Sequence, residues 1–253
     1  IGFAAGLSKA GFNPVIHTIT PFLVLRALDQ IKIDFVYNKL NCNIVSVGAG
    51  FSYGALGMSH HATEDLSIMR SLPEMTVLSP CGTWETEKAT KEAISLNSPI
   101  FLRLDKSEGD DSPVSDMNEK FIIGKGRKLS NGEDCAIFVT GGILEEVQKA
   151  VLTLKKENIK VSILSLHTVK PLDKDLIIST CKKMRCVVTV EEHNITGGLG
   201  SAISEILMDH NVSVSNFLRI GLNDEYSSIV GSQRYLREQY EMDYKSIVKK
   251  IKQ

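Results

Sequence analysis

Two adjacent histidines, His60 and His61, follow a glycine in the run Gly57-Met58-Ser59-His60-His61-Ala62-Thr63-Glu64-Asp65. Imidazole is the side chain that titrates near neutral pH without help, so such a pair suits hydrogen bonding to a reacting oxygen or shuttling a proton. The same residues equally suit a loop that ties itself together with hydrogen bonds. A second polar cluster, Glu191-Glu192-His193, precedes Thr196-Gly197-Gly198-Leu199-Gly200-Ser201. That glycine-rich turn opens a helix, where backbone N–H groups can hold an anion. Close packing of a helix start on a sheet is the plainer reading. The earlier loop Gly48-Ala49-Gly50 follows a strand but lacks the third glycine of a dinucleotide fingerprint.

The elements that must position these residues are legible in the apolar periodicity. Thr63 is placed to cap a helix whose first turn carries Glu64 and Asp65, read as acids suited to the dipole and not as catalytic groups. Leu66, Met69 and Leu72 recur at helical spacing, Pro73 ends the helix, and Thr76-Val77-Leu78 is a buried strand. Upstream, a small-residue helix over 1–12, a strand over 14–19, a helix over 21–31 and a strand over 43–47 are expected. Downstream come a helix over 84–96 and a strand over 100–104. After a polar stretch, the order is strand 135–140, helix 143–156, strand 160–165, helix 173–183, strand 187–190 and helix 200–210. This alternation predicts an α/β protein of two domains, each a mostly parallel sheet with helices on both faces.

Composition narrows the function classes. The chain has 253 residues, 43% hydrophobic and 23% charged, with a formal net charge of −1. That balance offers no argument for nucleic acid or an anionic membrane surface as partner. No apolar run reaches the roughly 18 residues of a spanning helix. Five cysteines without CxxC spacing read as reduced thiols of a cytoplasmic protein. Ile1 opens in what reads as mid-helix, so the chain is expected to be part of a longer product.

Several blocks, in order, resemble the carboxy-terminal half of transketolase, or the separate carboxy-terminal subunit of split transketolases. They are Gly2 to Leu7, Gly57 to His61, Glu64 to Arg70, Pro73 to Pro80, Leu166 to Asp173, and Glu191 to His193 with Gly197 to Ala202. The resemblance implies a thiamine-diphosphate pyrimidine-binding domain over 1–115, a linker over 116–132 and a transketolase carboxy-terminal domain over 133–253. It implies thiamine-diphosphate-dependent transfer of a two-carbon ketol unit between sugars. Thiamine diphosphate would lie between this chain and an amino-terminal diphosphate-binding subunit or domain. Mg2+ would be held by that partner, with no metal ligand here. Self-association into a dimer or heterotetramer is implied as well.

By the same resemblance, Phe22 stacks on the aminopyrimidine, with Ile19 and Leu25 as pocket lining. Arg26 is a helix-surface or interface charge. His60 aligns with the histidine beside the thiazolium and is the catalytic candidate. His61 stands in place of a glutamine, as a second substrate contact or a solvent-facing neighbour. Arg103 and Lys106 correspond to cations that meet a substrate phosphate. Structural roles are implied for Glu191, Glu192 and His193. Three departures matter. The glutamate that drives cofactor activation would lie upstream of Ile1; Gly48 replaces a phosphate-contacting histidine; and Leu56 replaces an aspartate that reads an acceptor hydroxyl. The changes at Gly48 and Leu56 argue for a sugar other than the usual pentose phosphates. A deoxyxylulose-phosphate-synthase-like or keto-acid-dehydrogenase-like subunit, or a non-catalytic scaffold of the same fold, stand as alternatives.

Overall fold

The computed structural model describes residues 1–106, 109–112 and 119–253. Its first part runs α1 (Gly2–Lys9), β1 (Val15–Ile19), α2 (Thr20–Val24) and α3 (Leu28–Gln30). A π-helical segment, Ile31–Tyr37, leads to β2 (Cys42–Val47). Two 3-10 turns, Gly54–Leu56 and Met58–His60, then precede α4 (Asp65–Ser71), β3 (Thr76–Leu78), α5 (Thr83–Ser95) and β4 (Pro99–Leu104). The second part runs β5 (Arg127–Lys128), β6 (Cys135–Thr140), α6 (Leu144–Lys156), β7 (Val161–Ser165) and β8 (Thr168–Lys170). It ends with α7 (Lys174–Cys181), β9 (Cys186–Asn194), α8 (Leu199–Asp209), β10 (Asn216–Leu222), α9 (Gln233–Gln239) and α10 (Tyr244–Lys252).

Two five-stranded sheets result, ordered β1-β2-β4-β3-β8 and β10-β9-β6-β7-β5. All pairings are parallel except β3 with β8 and β5 with β7. The predicted two-sheet α/β architecture is therefore present. Its signature is clearest in β6, whose six residues are all buried, as a parallel strand covered on both faces requires. Ile137 and Val139 face one apolar cluster with Val147 and Leu154 of α6, whereas Ala136 and Phe138 face another with Ile203 and Leu207 of α8. Burying a side chain such as Phe138 contributes roughly 2–3 kcal/mol before entropy is counted.

Three local expectations are corrected. The predicted helix over 21–31 divides at Leu25–Ala27, where Ala27 leaves helical geometry (φ −109°, ψ 10°). The chain then widens into the π-helical segment, which turns Ile31, Phe35 and Val36 inward. Thr63 does not cap α4: its hydroxyl donates to Glu64 Oε2 (2.9 Å), and Glu64 occupies the cap position without a side-chain bond to the helix. Thr63 instead belongs to the contact between the two halves, its carbonyl accepting from Asn194 N (2.7 Å). Finally, β8 leaves the second half to complete the first sheet, and Arg127–Lys128, within the stretch expected as linker, already form a strand of the second. Residues 116–118 of that stretch lie outside the described residues. Beyond 210 the structure adds β10, α9 and α10. No helix among the described residues is long and apolar enough to cross a membrane.

Candidate functional site

The carboxyl ends of β1, β2 and β4 converge on one edge of the first sheet, the position where α/β sheets commonly carry ligands. Thr20 Oγ1 donates to Val47 O (2.8 Å) and ties the end of β1 to the end of β2. Directly after it, Pro21 in the first turn of α2 presents Phe22. The half-buried Phe22 ring meets His60 edge-to-face, with centroids 5.0 Å apart and planes at 72°. The Arg26 guanidinium lies 4.3 Å from the Phe22 centroid. Ile19 is half-buried and Leu25 is 49% exposed. Fold alone thus brings together two residues 38 positions apart, an aromatic ring and an imidazole, beside apolar surface left open. Ser59 Oγ stands 3.0 Å from His60 Nδ1 and can fix the ring's tautomer.

Across the same edge, Lys106 is exposed, with its ammonium 5.6 Å from the Tyr53 ring centroid. Tyr53 was not singled out from sequence, yet it accounts for Gly48. A Cβ at Gly48 would lie 2.3 Å from the Tyr53 ring, and the backbone there has φ +89°. The tyrosine ring therefore occupies the volume into which a side chain at 48 would extend. Leu56 is 56% exposed.

Two expected substrate contacts take other places. His61 is only 4% exposed: its ring meets Phe51 edge-to-face at 5.0 Å, and its Nε2 lies 3.3 Å from Gly54 O. Burial lowers its pKa below the ordinary imidazole value. Arg103 is 1% exposed and faces the interior. Its Nε and Nη2 donate to both Asp65 carboxylate oxygens (2.7 and 3.2 Å), and Nη2 also reaches Ala62 O and Glu192 O. A buried guanidinium so engaged is a structural tie and leaves no face for a substrate phosphate. Asp65, expected merely to suit the helix dipole, is its counter-ion.

That tie is one part of a polar seam between the halves. Glu192 accepts from Phe51 N, Gln233 and Arg237, whose Nη1 also pairs with Glu145. Asp105 accepts from Ser52 Oγ and Gln233, while its Oδ2 is buried without a partner among the described residues. Burial, and then the nearby Glu192 charge, push the Asp105 carboxyl up to about 6. His193 Nε2 accepts from Ser67 N (3.3 Å) and Arg70 reaches Gly197 O (3.0 Å). The anion at the start of α8 is the chain's own: Glu191 accepts from Leu199 N and Gly200 N (2.6 and 2.8 Å). A Cβ at Gly198 would come within 2.0 Å of that carboxylate. The glycine turn therefore permits close approach of a side chain, not of a ligand. In the residues that tie the loop after β2 to the second half, sequence reading found Glu192 but missed Gln233 and Arg237, which lie beyond the last predicted element. Two hollows of about 640 Å³ each lie elsewhere and include none of these site residues.

Comparison with known proteins agrees with this fold. The family described as "Transketolase, pyrimidine binding domain" matches residues 1–110, and "Transketolase, C-terminal domain" matches residues 124–247. A putative transketolase C-terminal section from Methanocaldococcus jannaschii is 34% identical over 251 residues, covering 99% of this chain and 78% of its own length. The 6-deoxy-6-sulfo-D-fructose transketolase subunit SqwH of Clostridium sp. (strain MSTE9) is 33% identical over 249 residues, covering 98% and 76%. Among solved structures, a split gene transketolase described as an inactive beta4 tetramer superposes with a TM-score of 0.88 at 31% identity, covering 99% of this chain and 79% of that one. With both domains matched in order and relatives above 30% identity aligned over most of their length, the chain belongs to the transketolase family.

Proposed function

We propose that this chain is the pyrimidine-binding and carboxy-terminal part of a thiamine-diphosphate-dependent transketolase that moves a two-carbon ketol unit between sugars. The observation that carries the reading is the Phe22–His60 pair at the open edge of the first sheet. The residues there fit one end of such a cofactor. A half-buried aromatic ring flanked by Ile19 and by Leu25, 49% exposed, offers apolar surface to a heterocycle, with the Arg26 guanidinium 4.3 Å from its centroid. Thiamine diphosphate, when bound, would supply the electron sink needed to break a carbon–carbon bond next to a carbonyl.

The chain's own contribution is positional and electrostatic. Phe22, with Ile19 and Leu25, orients the aminopyrimidine. His60 donates a hydrogen bond to the substrate oxygen on which charge develops. Lys106, exposed and two residues past the end of β4, is the cation of the original pair placed to meet an acidic group on the sugar. Tyr53 over Gly48 and the exposed Leu56 reshape the acceptor end, which favours a sugar other than the usual pentose phosphates. Diphosphate and Mg2+ would be held by an amino-terminal partner subunit or domain, with the assembly a dimer of such pairs. The inactive tetramer of a similar protein's β subunit supports the need for that partner. The cytoplasm is the compartment in keeping with five free thiols.

The test is ketol transfer in the presence of the amino-terminal subunit. His60→Ala is expected to lower kcat by about 100-fold or more, and Phe22→Ala to weaken cofactor binding about tenfold. Unchanged turnover for His60→Ala would overturn the assignment of His60. Efficient turnover of xylulose 5-phosphate with ribose 5-phosphate would overturn the acceptor reading.

A further inference from the structure

The five cysteines are all free, but they are not equivalent. Cys42, Cys81 and Cys181 are buried, and burial pushes each thiol up, Cys42 to about 12 and Cys181 to about 11. These are inert packing groups. Cys135 and Cys186 form a pair that their 51-residue separation conceals. They are direct register partners on the neighbouring parallel strands β6 and β9, at the starts of both. Their sulfurs are 3.4 Å apart, with the Cys135 thiol donating to Cys186 Sγ. Cys135 is 2% exposed, whereas Cys186 is partly open to solvent. The donated hydrogen bond brings the Cys186 thiol down to about 7, despite partial burial, and pushes Cys135 up. An accessible nucleophile thus stands in contact with a shielded second thiol, the arrangement that lets a pair be oxidised in two steps.

We infer that Cys135 and Cys186 are a reversible thiol-oxidation site, converted to an intramolecular disulfide by a low-molecular-weight disulfide. The Cys186 thiolate attacks one sulfur of the reagent RSSR, forming a mixed disulfide and releasing RS⁻. Cys135 then gives up its proton and attacks the Cys186 sulfur, releasing the second RS⁻. The pair loses two electrons and RSSR is reduced to two RSH. Strand spacing holds the two α-carbons about 4.8 Å apart, inside the range of about 4.4–6.8 Å that a disulfide tolerates. Rotation about the two Cα–Cβ bonds closes the remaining gap without moving the sheet. The site lies at the amino ends of its strands, apart from the Phe22–His60 edge, and the inference does not rest on the proposed activity.

The test is exposure of the folded chain to excess glutathione disulfide, followed by thiol titration and peptide mapping. Two of the five thiols are expected to disappear, with one cross-link joining the Cys135 and Cys186 peptides. Dithiothreitol should restore both, and Cys42, Cys81 and Cys181 should remain free. Cys135→Ser is expected to stop at a glutathione adduct on Cys186, and Cys186→Ser to show no oxidation. The wild-type mapping stands by itself should either variant fold poorly. A persistent glutathione adduct on wild-type Cys186, a cross-link to any other cysteine, or retention of all five thiols would overturn the inference.

Discussion

The edge that carries Phe22 and His60 and the seam that carries Arg103 and Glu192 both gather residues at the carboxyl ends of strands, yet they are finished to different degrees. In the seam, charge meets charge inside the protein: Arg103 with Asp65, Arg237 with Glu192 and Glu145, and Glu191 with the start of α8. At the edge, Leu25, Leu56 and Met58 are 49%, 56% and 51% exposed, and Phe22 and His60 are only partly covered. Open apolar surface beside a functional side chain is tolerated where something outside the chain covers it. The difference teaches that the second half of the chain supports the loop from inside, while the loop's outer face stays open, as the proposed cofactor and partner require.

The largest expected effect breaks the seam. Arg103→Met removes the buried counter-ion of Asp65 and should destabilise the fold by about 3–5 kcal/mol, because an unpaired buried carboxylate remains. Urea unfolding measures this, and a loss below about 1 kcal/mol would show that the pair is dispensable. Next is the acid response of His167, fully buried between the halves, where its carbonyl accepts from Ser79 N (2.8 Å) and its ring stacks on Phe121 at 4.0 Å. Burial, with the nearby Arg127 charge, lowers its pKa to about 3. The folded state therefore refuses a proton that the unfolded chain accepts below about 6.5. Its stability is complete above that pH and is lost as the pH falls towards 3, by up to several kcal/mol. His167→Gln should flatten the unfolding free energy across this window.

Asp105 works in the opposite direction and more weakly. Its folded pKa of about 6 lies above the ordinary carboxylate value, so the folded state holds the proton more tightly. Stability from this group is full below about 4 and is lost as the pH rises through about 6, on the order of 2–3 kcal/mol. Asp105→Asn should remove that loss in a pH series of unfolding midpoints. The smallest stability effects are at the edge. Leu25→Ala and His60→Ala should change unfolding by no more than about 0.5 kcal/mol, while His60→Ala abolishes most of the activity. An edge variant that unfolds the protein, or a seam variant that spares it, would erase the contrast.

Much of the scaffold was legible because buried parallel strands read as continuous apolar runs; β6 is found at the predicted residues 135–140. Phe22 and His60 were legible through motif resemblance, and their contact adds a distance to that reading. What stayed hidden depended on partners distant in sequence. Arg103 reads as a strand-end cation until Asp65 is seen against it, 38 residues away. His61 reads as a loop residue until Phe51 closes over it. The division of the helix after Val24 and the crossing of β8 into the first sheet are tertiary outcomes that no local periodicity encodes.

The central claim is that the edge is one half of a cofactor site completed by another chain or domain. Calorimetric titration of thiamine diphosphate with Mg2+ tests it most directly, using this chain alone and then together with its amino-terminal partner. The account predicts measurable binding only when the partner is present, weakened about tenfold by Phe22→Ala. Equally tight binding to the chain alone, or no binding in either case, would contradict it.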